Sequence, residues 1–213
     1  MSNKSIIRGK QGASDYIRPV TNGVTLVAGF TSDCDYNVND YANGSLFLQA
    51  IFDYLNTLTP KGGIIKLRKG TYTLPSTVTT ACDDVIIEGE GDSTIIQSAS
   101  GITALRIQHN GFKLRNIHGK TGTYSNFIQY DNNADHYGCE ISGCRFFVNE
   151  EDTLASFLRV KGMRIVNNYI EANTSEPNKM LDFSAGTDSV TVSGNTFISK
   201  GSTIRGINTY NAD

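Results

Sequence analysis

The stretch Val85-Ile86-Ile87 returns as Phe112-Lys113-Leu114, Cys139-Glu140-Ile141, Met163-Arg164-Ile165 and Val190-Thr191-Val192. The last residues of these apolar-x-apolar copies follow one another at intervals of 27, 27, 24 and 27 residues. A second series runs in phase: Ala104-Leu105-Arg106-Ile107, Phe127-Ile128-Gln129-Tyr130, Phe157-Leu158-Arg159-Val160, Met180-Leu181-Asp182-Phe183 and Ile204-Arg205-Gly206-Ile207. Each period thus carries at least two short strands and no helix.

Such a unit cannot bury its own apolar face, so copies must stack. Stacking by parallel pairing gives a parallel β-helix whose coils lie roughly 4.8 Å apart. Alternation points Val85/Ile87, Phe112/Leu114, Cys139/Ile141, Met163/Ile165 and Val190/Val192 inward, one above another. The intervening residues face out and form the column Ile86, Lys113, Glu140, Arg164, Thr191. The second series gives the outward column Arg106, Gln129, Arg159, Asp182, Arg205. Both columns alternate or dilute like charges, as stacked neighbours require. A third strand is expected after Ile141-Ser-Gly-Cys144, Ile165-Val-Asn-Asn168 and Val192-Ser-Gly-Asn195. Gly143, Asn167, Asn168, Gly194 and Asn195 fall where the coil must bend, and Gly and Asn tolerate left-handed bends. Asn168 and Asn195 are placed to stack as an internal amide ladder.

The segment that opens the repeat is Gly62-Gly63-Ile64-Ile65-Lys66-Leu67-Arg68-Lys69-Gly70-Thr71-Tyr72, followed by Val85-Ile86-Ile87-Glu88-Gly89-Glu90-Gly91-Asp92-Ser93-Thr94-Ile95-Ile96. With the amphipathic helix before it, this "GG, strand, GTY" and "GEG, STII" pattern resembles the right-handed β-helix superfamily of pectate lyases and phage tailspikes. The resemblance covers roughly Gly44 to Ile207. It implies an all-β, right-handed parallel β-helix solenoid with a short N-terminal capping α-helix. It implies much less about activity, because lyases, hydrolases, epimerases and inert adhesins share that fold.

Composition fits one solenoid domain: 213 residues, 21 Gly, no Trp, 38% hydrophobic residues and a formal net charge of −2. With a pI near 5.9 and no Lys/Arg-rich run, no nucleic-acid partner is expected. No apolar run reaches membrane-span length, so no membrane insertion is expected. Residues 1–12 lack the apolar core and cleavage site of a signal peptide. For a fold that is commonly secreted, this points to a trimmed chain or a virion component, and the expected location is virion or extracellular. Of the four cysteines, Cys34, Cys82, Cys139 and Cys144, Cys139 sits at an inward position and reads as a small buried hydrophobe.

Residues 1–43 read as an extended lead-in, with Gly23–Gly29 its expected strand. A helix over 45–58 should place Phe47, Ile51, Tyr54, Leu55 and Leu58 on one face, start at Asn43 or Ser45 and stop at Pro60-Lys61-Gly62-Gly63. Its role would be to cover the open N-terminal end of a domain running from 44 to 213. No matching cap is legible at the other end. The expectation is association, as a homotrimer of the tailspike kind, or continuation into a further C-terminal domain.

For function, the expected class is a non-catalytic structural or receptor-binding β-helix, part of a virus tail spike or fibre or a surface adhesin, recognising cell-surface or envelope polysaccharide. The alternative is a polysaccharide lyase or glycoside hydrolase. In the second outward column Asp182 would lie between Arg159 and Arg205, a poor hard-cation site but one able to receive an acidic sugar. Asp182 is also the catalytic candidate should the chain cleave glycan. Further glycan-binding candidates lie in two loops, Asp131, Asp135 and His136 in one and Glu150 and Glu151 in the other, since loops on a rigid scaffold carry function. His109, His118 and His136 share no ligand spacing, so neither a metal nor a cofactor is expected. Gly89-Glu90-Gly91 runs on into a strand and reads as a coil corner, not a phosphate loop.

Overall fold

The computed structural model describes residues 23–123, 125–131, 133–149, 153–172, 179–184, 186–200 and 205–209. The chain winds as an all-β parallel solenoid of about five turns. On the first face the strands Gly63–Leu67, Val85–Ser98, Lys113–Lys120, Glu140–Ser142, Arg164–Val166 and Thr191–Ser193 pair in sequence order, all parallel. Val24–Gly29 adds a further parallel strand below Gly63–Leu67. Two of these strands, Val85–Ser98 and Lys113–Lys120, bend and continue onto a second face. There they align with Gly70–Leu74 below and with Arg145–Val148, Tyr169–Ala172 and Thr196–Ser199 above. A third face is built from Val78–Thr79, Leu105–Ile107, Asn126–Tyr130, Thr153–Phe157, Lys179–Phe183 and Arg205–Thr209.

The first-face register is the one the repeat implies: Ile87, Leu114, Ile141, Ile165 and Val192 are successive partners. The first four are at most 1% exposed, which is why the spacing of the apolar pairs is so regular. Cys139 is buried and unbridged. Outside, Lys113, Glu140, Arg164 and Thr191 stack in that order. Ile86, at the foot of that column, is buried although it alternates outward, because it sits in register between Ile64 and Lys113.

Each first-face strand above the opening one starts after a left-handed residue. Asp84, Gly111, Gly138, Gly162 and Ser189 all have positive φ, and they recur at 27, 27, 24 and 27 residues like the strands themselves. At the far end Asn116, Gly143, Asn167 and Gly194 do the same. Asparagine and glycine alternate there for a steric reason. A Cβ on Gly143 would lie 2.6 Å from Asn116 Oδ1, and one on Gly194 would clash with Asn167 Oδ1. The amide of one coil occupies the space a side chain would need in the next. Asn168 and Asn195 form the expected internal ladder.

The third face corrects the sequence register. Leu105 pairs Ile128, which pairs Ala155, then Leu181, then Ile207. Phe157 is therefore the last residue of its strand, aligned with Phe183, and not the first. The reason is ring packing: Phe157 stacks on Phe183 with centroids 4.7 Å apart and lies 5.5 Å from Tyr130. Large rings at consecutive coils gain from contact beyond their burial.

The helix spans Gly44–Thr57, with Asn43 as N-cap accepting from the Leu46 N–H at 3.0 Å. Its buried face is broader than expected, taking in Leu48 and Phe52 beside Phe47, Ile51 and Leu55. Tyr54 is 40% exposed and meets Tyr36 at the rim instead. Phe47 stacks on Tyr72 of the first coil at 5.7 Å, so the helix closes the N-terminal end of the core.

Candidate functional site

The corrected register takes Asp182 out of its expected setting. Its in-register neighbours are Ser156 and Asn208, not Arg159 and Arg205. Arg205 aligns with Lys179, and its side chain lies outside the described residues, as do Glu150 and Glu151. Arg159 leaves the strand altogether and occupies a left-handed turn at φ 54. That conformation is uncommon for a residue with a Cβ.

From that turn Arg159 reaches the loop that follows the third-face strand of the preceding coil. Its Nε donates to Asp135 Oδ1 at 2.9 Å and a terminal nitrogen lies 2.8 Å from the same oxygen. Lys161 Nζ lies 3.4 Å from Asp135 Oδ2, and the Tyr137 hydroxyl donates to that oxygen at 3.3 Å. Slight burial pushes the Asp135 carboxyl up, but the hydrogen bonds and charges of Arg159 and Lys161 outweigh it and hold the group below the usual carboxylate range. The structure therefore unites Asp135 with Arg159, while Asp182 stands in register with Ser156 and Asn208.

Beside this clamp lies a cleft of about 270 Å³ lined by Gln108, His109, Asp131, Asn133, Ala134 and His136. The solenoid fixes its walls. The Asp131 N–H continues the backbone ladder to Ile107 O at 2.9 Å, so Gln108 and Asp131 sit one coil apart. Gln108 Nε2 donates to Asp131 Oδ2 at 2.9 Å, and the Gln108 N–H donates to Thr80 Oγ1 at 3.0 Å. His136 is 1% exposed and packs edge-on against Tyr130 at 5.5 Å. Its Nε2 lies 2.8 Å from Asp131 O. A carbonyl can only accept, so that nitrogen carries the proton. His136 thus positions the loop from beneath. His109 Nδ1 meets Thr80 Oγ1 at 3.2 Å. Gln108, His109, Tyr137 and Lys161 carried no role in the sequence reading. The signal that could have found Gln108 is its place directly after Ile107, matching Asp131 directly after Tyr130.

Two other outward clusters are built with similar care. On the first face Arg115 Nε donates to Glu140 Oε1 at 2.9 Å, Ser142 Oγ donates to the same oxygen at 2.8 Å, and Arg164 lies 3.7 Å from Oε2. Burial raises the Glu140 carboxyl, and Ser142 and Arg115 more than reverse that rise. On the second face the Arg145 guanidinium lies 4.9 Å from the ring centres of both Phe147 and Tyr169. Tyr169 donates to Glu171 Oε2 at 2.9 Å, and Lys200 pairs with Glu171. His118 packs against Phe147 at 5.1 Å. The three histidines thus sit in three different settings. Among the described residues no group of three or more His, Cys, Asp or Glu side chains converges as a metal site would require. No described helix is long and apolar enough to cross a membrane.

No protein-family model and no curated protein matches the chain. Solved structures similar to it include a protein from Parabacteroides merdae assigned as a candidate glycosyl hydrolase, at 11% identity and TM-score 0.44 over 87% of this chain and 94% of that one. A pectin methylesterase from Aspergillus niger aligns at 13% identity and TM-score 0.43 over 89% and 86% of the two chains. The ORF18 protein of Geobacillus virus E2 aligns at 12% identity and TM-score 0.29, with 86% of this chain spanning 62% of that one. At these identities the likeness concerns fold alone.

Proposed function

We propose that this protein is a non-catalytic glycan-binding β-helix, a structural or receptor-binding component of a virion tail or cell surface. The observation that carries this reading is the state of three outer carboxylates. Asp135, Glu140 and Glu171 are each gripped by cations and hydrogen-bond donors and held below their ordinary range. Sugar hydrolysis needs the opposite, a carboxyl kept protonated near its working pH, with a second carboxylate about 5 to 9.5 Å away. Groups locked in ion pairs suit a rigid binding surface.

The test is incubation of the full chain with a panel of acidic and neutral polysaccharides, following reducing ends, the absorbance of unsaturated sugars, and binding. Retention of a glycan without product is expected. Product formation would overturn the reading in favour of a lyase or hydrolase, and Asp182→Asn and Asp131→Asn would then locate the chemistry. The same reading includes association through the last described coil, where Val190, Val192 and Phe197 are only partly buried. A sedimentation coefficient that rises over a hundred-fold concentration range is expected; a constant monomer value would remove that part of it.

A further inference from the structure

We propose that the second face carries a sugar-binding patch, in which a pyranose lies on the rings of Phe147 and Tyr169 while one of its hydroxyls bridges His118 and Arg145; the proposal locates the contact of the glycan-binding reading above and rests on it. Strand alternation sets the patch. Phe146 and Ile170 are fully buried in the core, so Arg145, Phe147 and Tyr169 point out. His118, Arg145 and Tyr169 are in-register partners on three successive coils. An outward column of the first face carries Lys113, Glu140 and Arg164 instead.

Two polar atoms of this second-face column, His118 Nε2 and Arg145 Nε, are buried with no hydrogen-bond partner among the described residues. Buried polar atoms are nearly always paired, and an orphan costs free energy. These two are chemically complementary. The imidazole bonds the backbone of Asp92, and that bond favours its protonated form, so a ring N–H donates to the Asp92 carbonyl. With Nε2 unpartnered, the donor is Nδ1. Burial and the charge of Lys120 bring the ring's pKa below 6.5, so at neutral pH Nε2 holds a lone pair. Arg145 Nε–H can only donate. One hydroxyl meets both, donating to Nε2 and accepting from Nε–H.

His118 is the fixed part of the patch, 8% exposed and packed 5.1 Å from Phe147. Arg145 is the movable part. Its guanidinium lies 4.9 Å from the centres of both rings, and its ion pair reaches Asp92, 65% exposed, at 3.2 Å. An exposed pair of that kind holds weakly. When the guanidinium moves off the rings, the C–H face of a sugar takes its place against the negative ring faces, and the two orphan atoms open to the hydroxyl. Neither orphan gives up a protein partner in doing so.

The experiment is calorimetric titration of the full chain with cellohexaose, maltohexaose, chitohexaose and hexagalacturonate, followed by nitrogen NMR of the histidine rings with whichever sugar binds. At least one should bind, and at saturation the His118 Nε2 resonance should move. His118→Phe keeps a ring and removes the acceptor, and should weaken binding roughly tenfold, the loss of one hydrogen bond. If His118→Phe does not fold, Phe147→Leu carries the same expectation through the lost ring. Arg106→Ala, exposed on the third face, should change the affinity less than twofold. Sugar binding that His118→Phe and Phe147→Leu leave unchanged would overturn the patch and leave glycan binding intact. A His118 Nε2 resonance that stays still at saturation would do the same, as would affinity lost in Arg106→Ala alone. Binding of none of the four sugars would remove the glycan reading itself.

Discussion

The backbone N–H of Cys144 donates to Oδ1 of Asn168, one coil further along, at 2.9 Å. Asn168 returns its own amide hydrogen to Ile141 O at 3.0 Å. Asn195 repeats both contacts one coil on, accepting from the Asn168 N–H at 2.8 Å and donating to Ile165 O at 2.7 Å. Cys144 occupies the same column and directs its thiol to Leu114 O at 3.6 Å. Each side chain thus satisfies backbone groups that the bend between the first and second faces takes out of the ladder. Burial pushes the Cys144 thiol up to about 12, which fits a weak donor and not a reactive group.

Replacing Asn168 with Ala removes those partners and leaves a buried N–H and a buried carbonyl unpaired. At about 1 to 3 kcal/mol for each unsatisfied group, the loss should be roughly 2 to 6 kcal/mol. Urea denaturation of Asn168→Ala measures it. A change below about 1 kcal/mol would show that the ladder does not support the bend.

Gly194→Ala should be destabilising twice over, from a left-handed φ of 65° and from a clash of the new Cβ with Asn167 Oδ1. Asn167→Gly removes the steric part and leaves the backbone part. The double variant should therefore be less destabilised than the two single losses added together. Strict additivity in a double-mutant cycle would mean that the two residues do not compete for space.

Ile165 is 1% exposed, stacked between Ile141 and Val192. An Asp at that position has no partner charge in the stack, and burial of an unpaired carboxylate costs more than a small domain's whole stability. Ile165→Asp should yield no soluble folded protein. Recovery of a soluble, cooperatively melting variant would refute the inward assignment.

His118 is buried, and desolvation, reinforced by the charge of Lys120, lowers its pKa from 6.5, against an opposing pull from Asp92. Arg145 adds to the lowering, so the folded protein binds the proton less readily than the unfolded chain. The stabilising contribution is therefore complete above the unfolded value of 6.5 and is lost as pH falls from there through the depressed folded value. His118→Gln should flatten this part of the pH–stability curve. The check is the midpoint of chemical denaturation between pH 7.5 and 5 for both proteins, and parallel curves would discount His118.

Asp135 titrates in a lower window. Its folded pKa lies below 3.8, so the clamp with Arg159 and Lys161 contributes above that value and is lost as pH falls through the folded one. Because Arg159 is half-exposed, Arg159→Ala at neutral pH should cost no more than about 1 kcal/mol. A much larger loss in thermal denaturation would assign the clamp a structural weight that its exposure does not suggest.

The first face was legible in the sequence because one physical demand governs it. Residues such as Leu114 and Ile141 must be apolar, inward and one coil apart, so burial writes a period into the chain. The left-handed bends were legible for a similar reason, since few residue types tolerate them, and Asn167 and Gly194 announce themselves. The third face was less so. Phe157 satisfies an apolar pattern as either the first or the last residue of its strand, and only ring stacking on Phe183 chooses between them. That choice moved Arg159 from a column beside Asp182 into a turn beside Asp135. Sequence alone thus determined the solenoid, its coil spacing and the chemistry available at its corners. Which charges meet across a corner was decided by tertiary structure, because a shift of a few residues in one strand's register leaves the apolar pattern acceptable but changes every partner outside it.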